Sequence, residues 1–340
     1  MRVVLHDEVF ASEAHRLELL HIIAFGYQER HQILTEPLYQ PGGEEQSGSC
    51  LGEWISRLPE GLREEVEFTL EVGVEDLDES KSKDEIDVID AKASNWGSSP
   101  PKLTVEDARR LLDRSLHLLI ENARNDRKFL EAMCKRLLGT EYWEPIQKAV
   151  DEKWLHYEHG GGIGSMKNAV EQLANDHISK MRTWVMFDSD APRPDEPSAQ
   201  SQALSDVCEE HSIEHHQLRR RTIENYLPQR ALEASAELLR GTAKSARRRA
   251  AWAFAEMSRA QQHHFRMKKG FAAEINDLPE FYADIPQEDR LALADGFGKD
   301  IGELFYRSDQ PGWESWLESE FTKREKDEFI EIADTIYRKL

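Results

Sequence analysis

Residues 116–121 read LHLLIE, and residues 184–190 read WVMFDSD. Each stretch is a short apolar run that ends in carboxylates, a pattern typical of a buried strand with polar residues at its carboxyl end. Two further strands are predicted, at Trp154–His159 and at Glu214–Leu218, with helical patterns between them. Strands that alternate with helices in this way predict an α/β fold with a mostly parallel sheet flanked by helices.

Working outward from these strands, the chain divides into three predicted regions. They are a mixed α+β N-terminal region over 1–110, the α/β domain over 111–230 and a helical C-terminal region over 231–340. In the first region, the alternation of polar and apolar residues over Glu65–Val72 predicts a strand, and Ile86–Ala91 predicts another. Loops are expected at 41–48 and 75–84. Thr104 is the predicted N-cap of a helix that ends near Asp113.

The charge of the chain is uneven. Its 340 residues include 44 Lys and Arg against 65 Asp and Glu, a net charge of −21, which argues against a passive nucleic-acid coat. The window 240–270 has nine basic residues and one acid, a net charge of +8 that leaves −29 for the rest. This window is either a face for a polyanion or a solvated basic helix. The candidate nucleic-acid contacts are Arg247, Arg248 and Arg249, together with Arg219 and Arg220.

The apolar runs, the N-terminal residues and the cysteines indicate where in the cell the protein is expected. The longest apolar runs are too short to cross a bilayer, and the residues after Met1 do not resemble a signal peptide. The three cysteines are too scattered for a disulfide framework. We therefore expect a cytoplasmic protein without a membrane segment.

The carboxylates at the strand ends are the first candidate site. Glu121 follows one predicted strand, and Asp188 and Asp190 follow another. Residues i and i+2 of an extended chain point the same way, so the two aspartates are expected to converge and repel each other. A divalent cation relieves that repulsion, and hard oxygen ligands suit Mg²⁺ or Mn²⁺. A solvated acidic turn is the alternative.

Four segments occur in order on successive crossover units: LHLLIENARNDRKFL, WLHYEHGGGIGSM, WVMFDSDAP and RRRTIENYLP. Together they resemble the Toprim fold, and most of all the Toprim nucleases of phage-defence and overcoming-lysogenisation-defect systems, over about Leu116 to Pro228. The first Toprim motif maps onto Glu121 and Asp126, with one extra residue between them and Asn122 in place of the usual glycine. The second motif, D-x-D, maps onto Asp188 and Asp190. The resemblance implies that Glu121, Asp188 and Asp190 hold a catalytic metal, with Glu121 as an alternative general acid or base.

Three further residues are candidates for the same chemistry. Glu224 could supply an additional carboxylate for a second ion, or it could form an ion pair near Arg219–Arg221. Lys268 or Lys269 could neutralise the transition-state phosphate, as a lysine does in related nucleases. The alternative for this lysine pair is a basic helix end before Gly270.

Other patterns are less specific. The glycine-rich run 160–165 could cradle a phosphate or form a tight turn, but it matches neither a dinucleotide fingerprint nor a Walker loop. The sequence Cys-x-x-His-x-x-x-His from Cys208 to His215, with His216 beside it, and the pair at 263–264 could bind zinc, although no second cysteine pair accompanies them. The tryptophans at positions 252, 313 and 316 have helical spacing, which favours core positions over base stacking.

These observations predict a metal-dependent Toprim endonuclease, with DNA favoured over RNA as the substrate. The resemblance implies an effector subunit of an antiphage defence system. Since the chain has no Walker motif, a separate ATPase or sensor subunit is expected, and the assembly is expected to be oligomeric. One alternative is a non-catalytic interaction subunit that retains the scaffold. Another is an NAD- or ATP-binding protein that uses the loop at Gly160–Gly164.

Overall fold

The computed structural model of the protein describes residues 1–40, 48–77, 83–273 and 280–340. These residues form two four-stranded sheets in which every strand pair is parallel, with helices on their faces. The first sheet contains β1 (Arg2–His6), β2 (Gln32–Glu36), β3 (Glu85–Val88) and β4 (Lys102–Leu103), in the order β2-β1-β3-β4. The second contains β5 (Leu116–Ile120), β6 (Leu155–His159), β7 (Thr183–Phe187) and β8 (His215–Gln217), in the order β6-β5-β7-β8. The two sheets therefore share one strand topology.

Fifteen α-helices are present in the described part of the chain. They are α1 (Arg16–Tyr27), α2 (Cys50–Ser56), α3 (Glu60–Glu75), α4 (Val105–Asp113), α5 (Asn125–Ala132), α6 (Thr140–Asp151), α7 (Ile163–Leu173), α8 (His177–Met181), α9 (Ala199–Glu210), α10 (Gln229–Ser235), α11 (Gly241–Ala255), α12 (Arg259–His264), α13 (Gln287–Ala292), α14 (Trp313–Glu320) and α15 (Lys323–Lys339). A π-helical stretch, Met133–Leu138, follows α5. Two 3-10 helices, Ile223–Tyr226 and Lys299–Arg307, matter for the site. None of the helices in the described ranges is long and apolar enough to span a membrane.

The second sheet confirms the α/β prediction from the middle of the chain. Strands β5 and β7 lie side by side at its centre, and every residue of β7 is buried. Such burial on both faces is what a continuous apolar run in a parallel sheet predicts. The helix predicted after Thr104 is also confirmed, because the Thr104 side chain accepts a hydrogen bond of 3.2 Å from the backbone of Asp107.

The first sheet corrects the prediction for the N-terminal region. The sheet is all parallel, so this region is α/β rather than the predicted mixed α+β, and its strands β1 and β2 have no counterpart in the prediction. Residues Glu65–Val72 are helical, within α3, and not a strand. The strand predicted at Ile86–Ala91 is present in part as β3. The loop predicted at 41–48 lies almost wholly outside the described residues, as does the middle of the loop predicted at 75–84.

The C-terminal helices pack onto the second sheet. One continuous apolar core runs from β5 through α5 and α11 to α15, whereas the first sheet has its own core. Trp313 is 2% exposed and belongs to the larger core, as predicted. Trp252 is 61% exposed, so its predicted core position is wrong.

Candidate functional site

Glu121 and Asp188 meet at the carboxyl edge of the second sheet. Strands β5 and β7 are neighbours in register, with Ile120 opposite Met186, so the residues that follow them lie side by side. The backbone N–H of Asp188 donates a hydrogen bond of 3.0 Å to Oε1 of Glu121. The two predicted carboxylates therefore lie at one edge of one sheet.

Asp190 also lies at this edge, but its backbone conformation differs from the predicted one. Its φ is +48°, in the left-handed region, so the chain after β7 turns sharply instead of staying extended. Its backbone N–H donates to the carbonyl of Arg221 at 2.8 Å, and the hydroxyl of Ser189 donates to the carbonyl of Arg220 at 2.8 Å. Asp190 lies close enough to Glu121 for its charge to raise the pKa of that carboxyl. The argument from i and i+2 in an extended chain is wrong.

The 3-10 helix Ile223–Tyr226 adds a fourth carboxylate, Glu224. Its first N–H, from Ile223, donates to Oδ1 of Asp188 at 3.0 Å, which ties the helix to the strand end. Glu224, the next residue, is fully buried, and its Oε1 lies 2.9 Å from Nζ of Lys268. Among the described residues, Oε2 of Glu224 has no hydrogen-bond partner. Because a buried ionised oxygen without a partner is costly, a cation or a proton at this atom would be stabilising.

Asp126 closes the turn that begins at Glu121. It lies in the first turn of α5 and is buried, and its Oδ2 accepts a hydrogen bond of 2.9 Å from the backbone of Asn122. Its negative charge raises the pKa of both Glu121 and Asp188. Asp126 is thus an acid at a helix start, as its position in the sequence suggested, and it also belongs electrostatically to the carboxylate cluster.

The cluster resists ionisation. Burial raises the pKa of Glu121 to about 7 and that of Asp126 to about 6. Burial, followed by the charges of Glu121 and Glu224, raises the pKa of Asp188 well above its usual range, and burial also raises the pKa of Asp190. Burial alone would lower the pKa of Lys268, but the charge and hydrogen bond of Glu224, together with the charges of Asp188 and Glu121, outweigh burial and raise that pKa. Lys268 therefore stays positively charged beside the carboxylates. Its single charge does not compensate for their burial, because their pKa values remain raised.

These shifts predict how stability depends on pH. Since the pKa of Glu121 is raised from 4.5 to about 7, its contribution to stability is fully present below about pH 4.5 and is lost as the pH rises through 7. In metal-free protein at about pH 8, we expect Glu121→Gln to raise the free energy of unfolding by about 2 kcal/mol. At about pH 5 the difference from the wild type should largely vanish. Guanidinium unfolding at both pH values measures it.

The control for this prediction is Glu209→Gln, at an exposed position of α9. Its free energy of unfolding should differ from the wild type by the same small amount at both pH values. A Glu121→Gln variant that is destabilised at the higher pH would contradict the electrostatic description of the cluster.

The donors suit a hard divalent cation. Glu121, Asp188, Asp190 and Glu224 offer only carboxylate oxygens, the ligands that Mg²⁺ and Mn²⁺ prefer. The unpartnered Oε2 of Glu224 and the raised pKa values show that added positive charge would be favourable here. Within the ranges that the structure describes, no three His, Cys, Asp or Glu side chains are already grouped as metal ligands. Binding of a cation would therefore require these side chains to close around it.

The structure distinguishes the two candidate lysines. Nζ of Lys268 forms the 2.9 Å ion pair with Glu224, and its charge lowers the pKa of Glu121 and Asp188. Lys269 is exposed, and in the described part of the chain no ion pair joins it to these acids. Only Lys268 is placed beside the carboxylates.

The predicted nucleic-acid contacts at Arg219 and Arg220 are engaged elsewhere. Arg219 pairs with Glu331 at 3.1 Å. Arg220 is buried between the rings of Tyr226 and Phe321 and pairs with Glu325 at 2.6 Å. A buried and neutralised guanidinium cannot reach a polyanion, so the location of Arg220 argues against its predicted role.

The three arginines of α11 differ from one another. Arg247 is half-buried and donates to the carbonyl of Phe297 at 2.6 Å. Arg248 is exposed but pairs with Glu237, as Lys244 does. Arg249 is exposed. The basic window is therefore partly neutralised by an acid that lies just before it in the chain.

The remaining sequence patterns have structural explanations. A Cβ on Gly160 would lie 2.2 Å from Cγ of Met166, so this run needs glycine for the close approach of α7. The ring of His215 bonds to Ser205 at 2.8 Å, and His216 contacts Glu328 at 3.1 Å. These two adjacent histidines contact different partners and do not converge with Cys208. The structure therefore gives no support to the predicted zinc site.

One residue beside the site was not identified from the sequence. A Cβ on Gly302, in the 3-10 helix Lys299–Arg307, would lie 2.8 Å from Oε1 of Glu224. Its backbone therefore forms part of the wall around that carboxylate. Nothing in the local sequence DIGELF indicates this contact, because it joins residues far apart in the chain.

Comparisons of the chain with protein-family models, curated proteins and solved structures gave no match. The function must therefore be inferred from the site itself.

Proposed function

We propose that the protein is a metal-dependent nuclease of the Toprim type that hydrolyses phosphodiester bonds, with DNA favoured over RNA. The observation behind this proposal is the cluster at the edge of the second sheet: Asp188 bonded to Glu121, beside a fully buried Glu224 that has a lysine on one oxygen and no hydrogen-bond partner on the other. Carboxylates gathered in this way at the carboxyl ends of parallel strands favour a site for divalent cations.

Each side chain has a task in this chemistry. Glu121, Asp188, Asp190 and Glu224 would hold Mg²⁺ or Mn²⁺, which when bound polarises the phosphate and lowers the pKa of a water molecule. Glu121, with a pKa of about 7, can exchange a proton near neutral pH and so act as a general acid or base. Lys268 places a positive charge where negative charge develops on the phosphate oxygens.

The wider setting of the enzyme is part of the proposal. We infer an effector subunit of an antiphage defence system that is cytoplasmic, oligomeric and dependent on a separate ATPase or sensor subunit. The acidic body of the chain, −29 outside the window 240–270, supports a nuclease that binds nucleic acid only weakly until a partner recruits it.

A non-catalytic scaffold subunit is the second candidate. It is favoured by the net charge of −21, which opposes contact with a polyanion. Under this reading, exchanging Asp188 and Asp190 for Ala leaves function unchanged, whereas under the nuclease reading it abolishes cleavage and preserves partner binding.

Direct assay of cleavage tests the proposal. Purified protein is incubated with supercoiled plasmid, linear duplex, single-stranded DNA and total tRNA, each with Mg²⁺, Mn²⁺ or EDTA. We expect slow cleavage of DNA by the chain alone with either metal, faster cleavage when a candidate ATPase partner is added, and none with EDTA. Cleavage that persists in EDTA, or an absence of cleavage with every substrate and with a candidate ATPase partner added, contradicts the proposal.

A further inference from the structure

A cleft of about 580 Å³ lies beside the 3-10 helix Lys299–Arg307. Four basic side chains from three distant segments of the chain line it, namely Arg124, Arg247, Lys299 and Arg307. We call this group the cationic cleft. Its lining also includes two acids, Asp300 and Glu303, and the ring of Tyr306.

The cations of this cleft are unusual for so acidic a chain. Over the described ranges, none of the four forms an ion pair with a carboxylate. The guanidinium of Arg124 instead bonds to the hydroxyl of Tyr306 at 3.0 Å and lies 5.3 Å from its ring centroid. Arg247 donates to Ser235 and to the carbonyl of Phe297. Lys299 and Arg307 are exposed on the surface.

Two other basic clusters in the described part of the chain are neutralised internally. Arg220, Arg259 and His263 all contact Glu325, in the pocket beside the Asp190 loop. Lys244 and Arg248 share Glu237. The lining has four cations without ion-pair partners among the described residues and two acids, a formal net charge of +2 (four minus two) in a chain that is otherwise strongly acidic, so this concavity attracts an external anion.

The cleft and the carboxylate cluster share one element, the 3-10 helix Lys299–Arg307. The 3-10 helix Lys299–Arg307 carries Lys299 and Arg307 in the cleft, and its Gly302 lies against Glu224. Arg124 is in the same turn as Glu121, between β5 and α5. The turn after β5 and the 3-10 helix Lys299–Arg307 therefore contribute to both the carboxylate cluster and the cationic cleft.

We propose that the cationic cleft binds the phosphates of a single nucleic-acid strand on one side of the scissile bond, with Lys299 and Arg307 as its outer contacts. This inference rests on the proposed nuclease function, since the anion it assigns is the substrate of that site. A strand is favoured over a lone phosphate because the four cations come from three separate segments of the chain and Tyr306 offers an aromatic face among them.

Binding without cleavage tests this assignment. The anisotropy of a fluorescent 20-nucleotide single strand, and of its duplex, is titrated in EDTA with the full chain and two variants. The double variant Lys299→Glu/Arg307→Glu should bind the single strand about tenfold more weakly or worse, and lose about 0.7 in salt slope per phosphate contact removed. The matched control, Lys92→Glu/Arg110→Glu, changes the charge equally at exposed positions of the N-terminal half and should bind as the wild type does.

A neutral variant, Lys299→Gln/Arg307→Gln, guards against misfolding and should weaken binding to a smaller extent. Equal weakening by the cleft and control variants, or no weakening by the cleft variant, overturns the inference. So does tight binding of poly-glutamate at the cleft by a chain that does not bind the oligonucleotide. A chain that binds strands through this cleft but never cleaves them with Mg²⁺ or Mn²⁺ supports the assignment of the cleft and overturns the nuclease proposal instead.

Discussion

Asp188→Asn is expected to lower the rate of Mg²⁺- or Mn²⁺-dependent strand cleavage by about 10³-fold or more. Asp188 bonds through its backbone to Glu121 and through Oδ1 to the N–H of Ile223, so it is the centre of the cluster. An Asn side chain retains an oxygen that can accept the hydrogen bond from the N–H of Ile223, but it loses the negative charge that binds a cation. The readout is the rate of plasmid nicking at saturating metal.

The same substitution should not destabilise the metal-free protein. Burial and the neighbouring acids raise the pKa of Asp188, so removing its charge relieves repulsion near neutral pH. Asp195→Asn, on an exposed turn of the following loop, is the matched control and should retain full activity. If Asp188→Asn cleaves at the wild-type rate, or loses activity only by unfolding, Asp188 has no part in catalysis.

Lys268→Gln is expected to lower the cleavage rate by about 10²-fold, while Lys269→Gln leaves it near the wild-type value. The two residues are adjacent and equally charged, but only Lys268 contacts the carboxylates, through Glu224 at 2.9 Å. Comparing the two variants therefore tests whether the positive charge must lie beside the carboxylates, since both variants remove one positive charge. Single-turnover rates with saturating substrate are the appropriate measurement, because they separate chemistry from binding.

Stability must be followed in the same experiment. Removing Lys268 leaves Glu224 buried without its cation, so the variant should unfold at a lower denaturant concentration in EDTA. Added Mn²⁺ should recover part of that loss if Glu224 is a metal ligand. Equal activity in the two lysine variants, or equal loss in both, would rule out a specific role for Lys268.

The sequence predicts the second sheet and its carboxylate edge well. The runs at 116–120 and 184–187 are short and mostly apolar, which is typical of central parallel strands, and the acids that follow them fall at the same edge. Asp190 arrives there because of a left-handed turn, which local sequence did not indicate. The residue type was correct, but the geometric reason was not.

The first sheet shows why alternation alone misleads. Residues Glu65–Val72 alternate between polar and apolar, but Val66, Thr69, Leu70 and Gly73 also match the spacing of one helix face, and these four are buried in α3. Phe68, which a strand would bury with Val66, is 57% exposed. Contacts between distant segments, such as Gly302 with Glu224, have no local signature at all.

Arg220 was predicted to meet a nucleic acid, and its actual surroundings have another consequence. Two aromatic rings and Glu325 of α15 fix its side chain, while its carbonyl and that of Arg221 hold Ser189 and the N–H of Asp190. The final helix thus sets the position of a candidate metal ligand through one arginine. A ligand that docks on α15 and displaces Glu325 would free the side chain of Arg220. The loop that holds Asp190 would then be less firmly fixed, although the ligand does not contact Asp190.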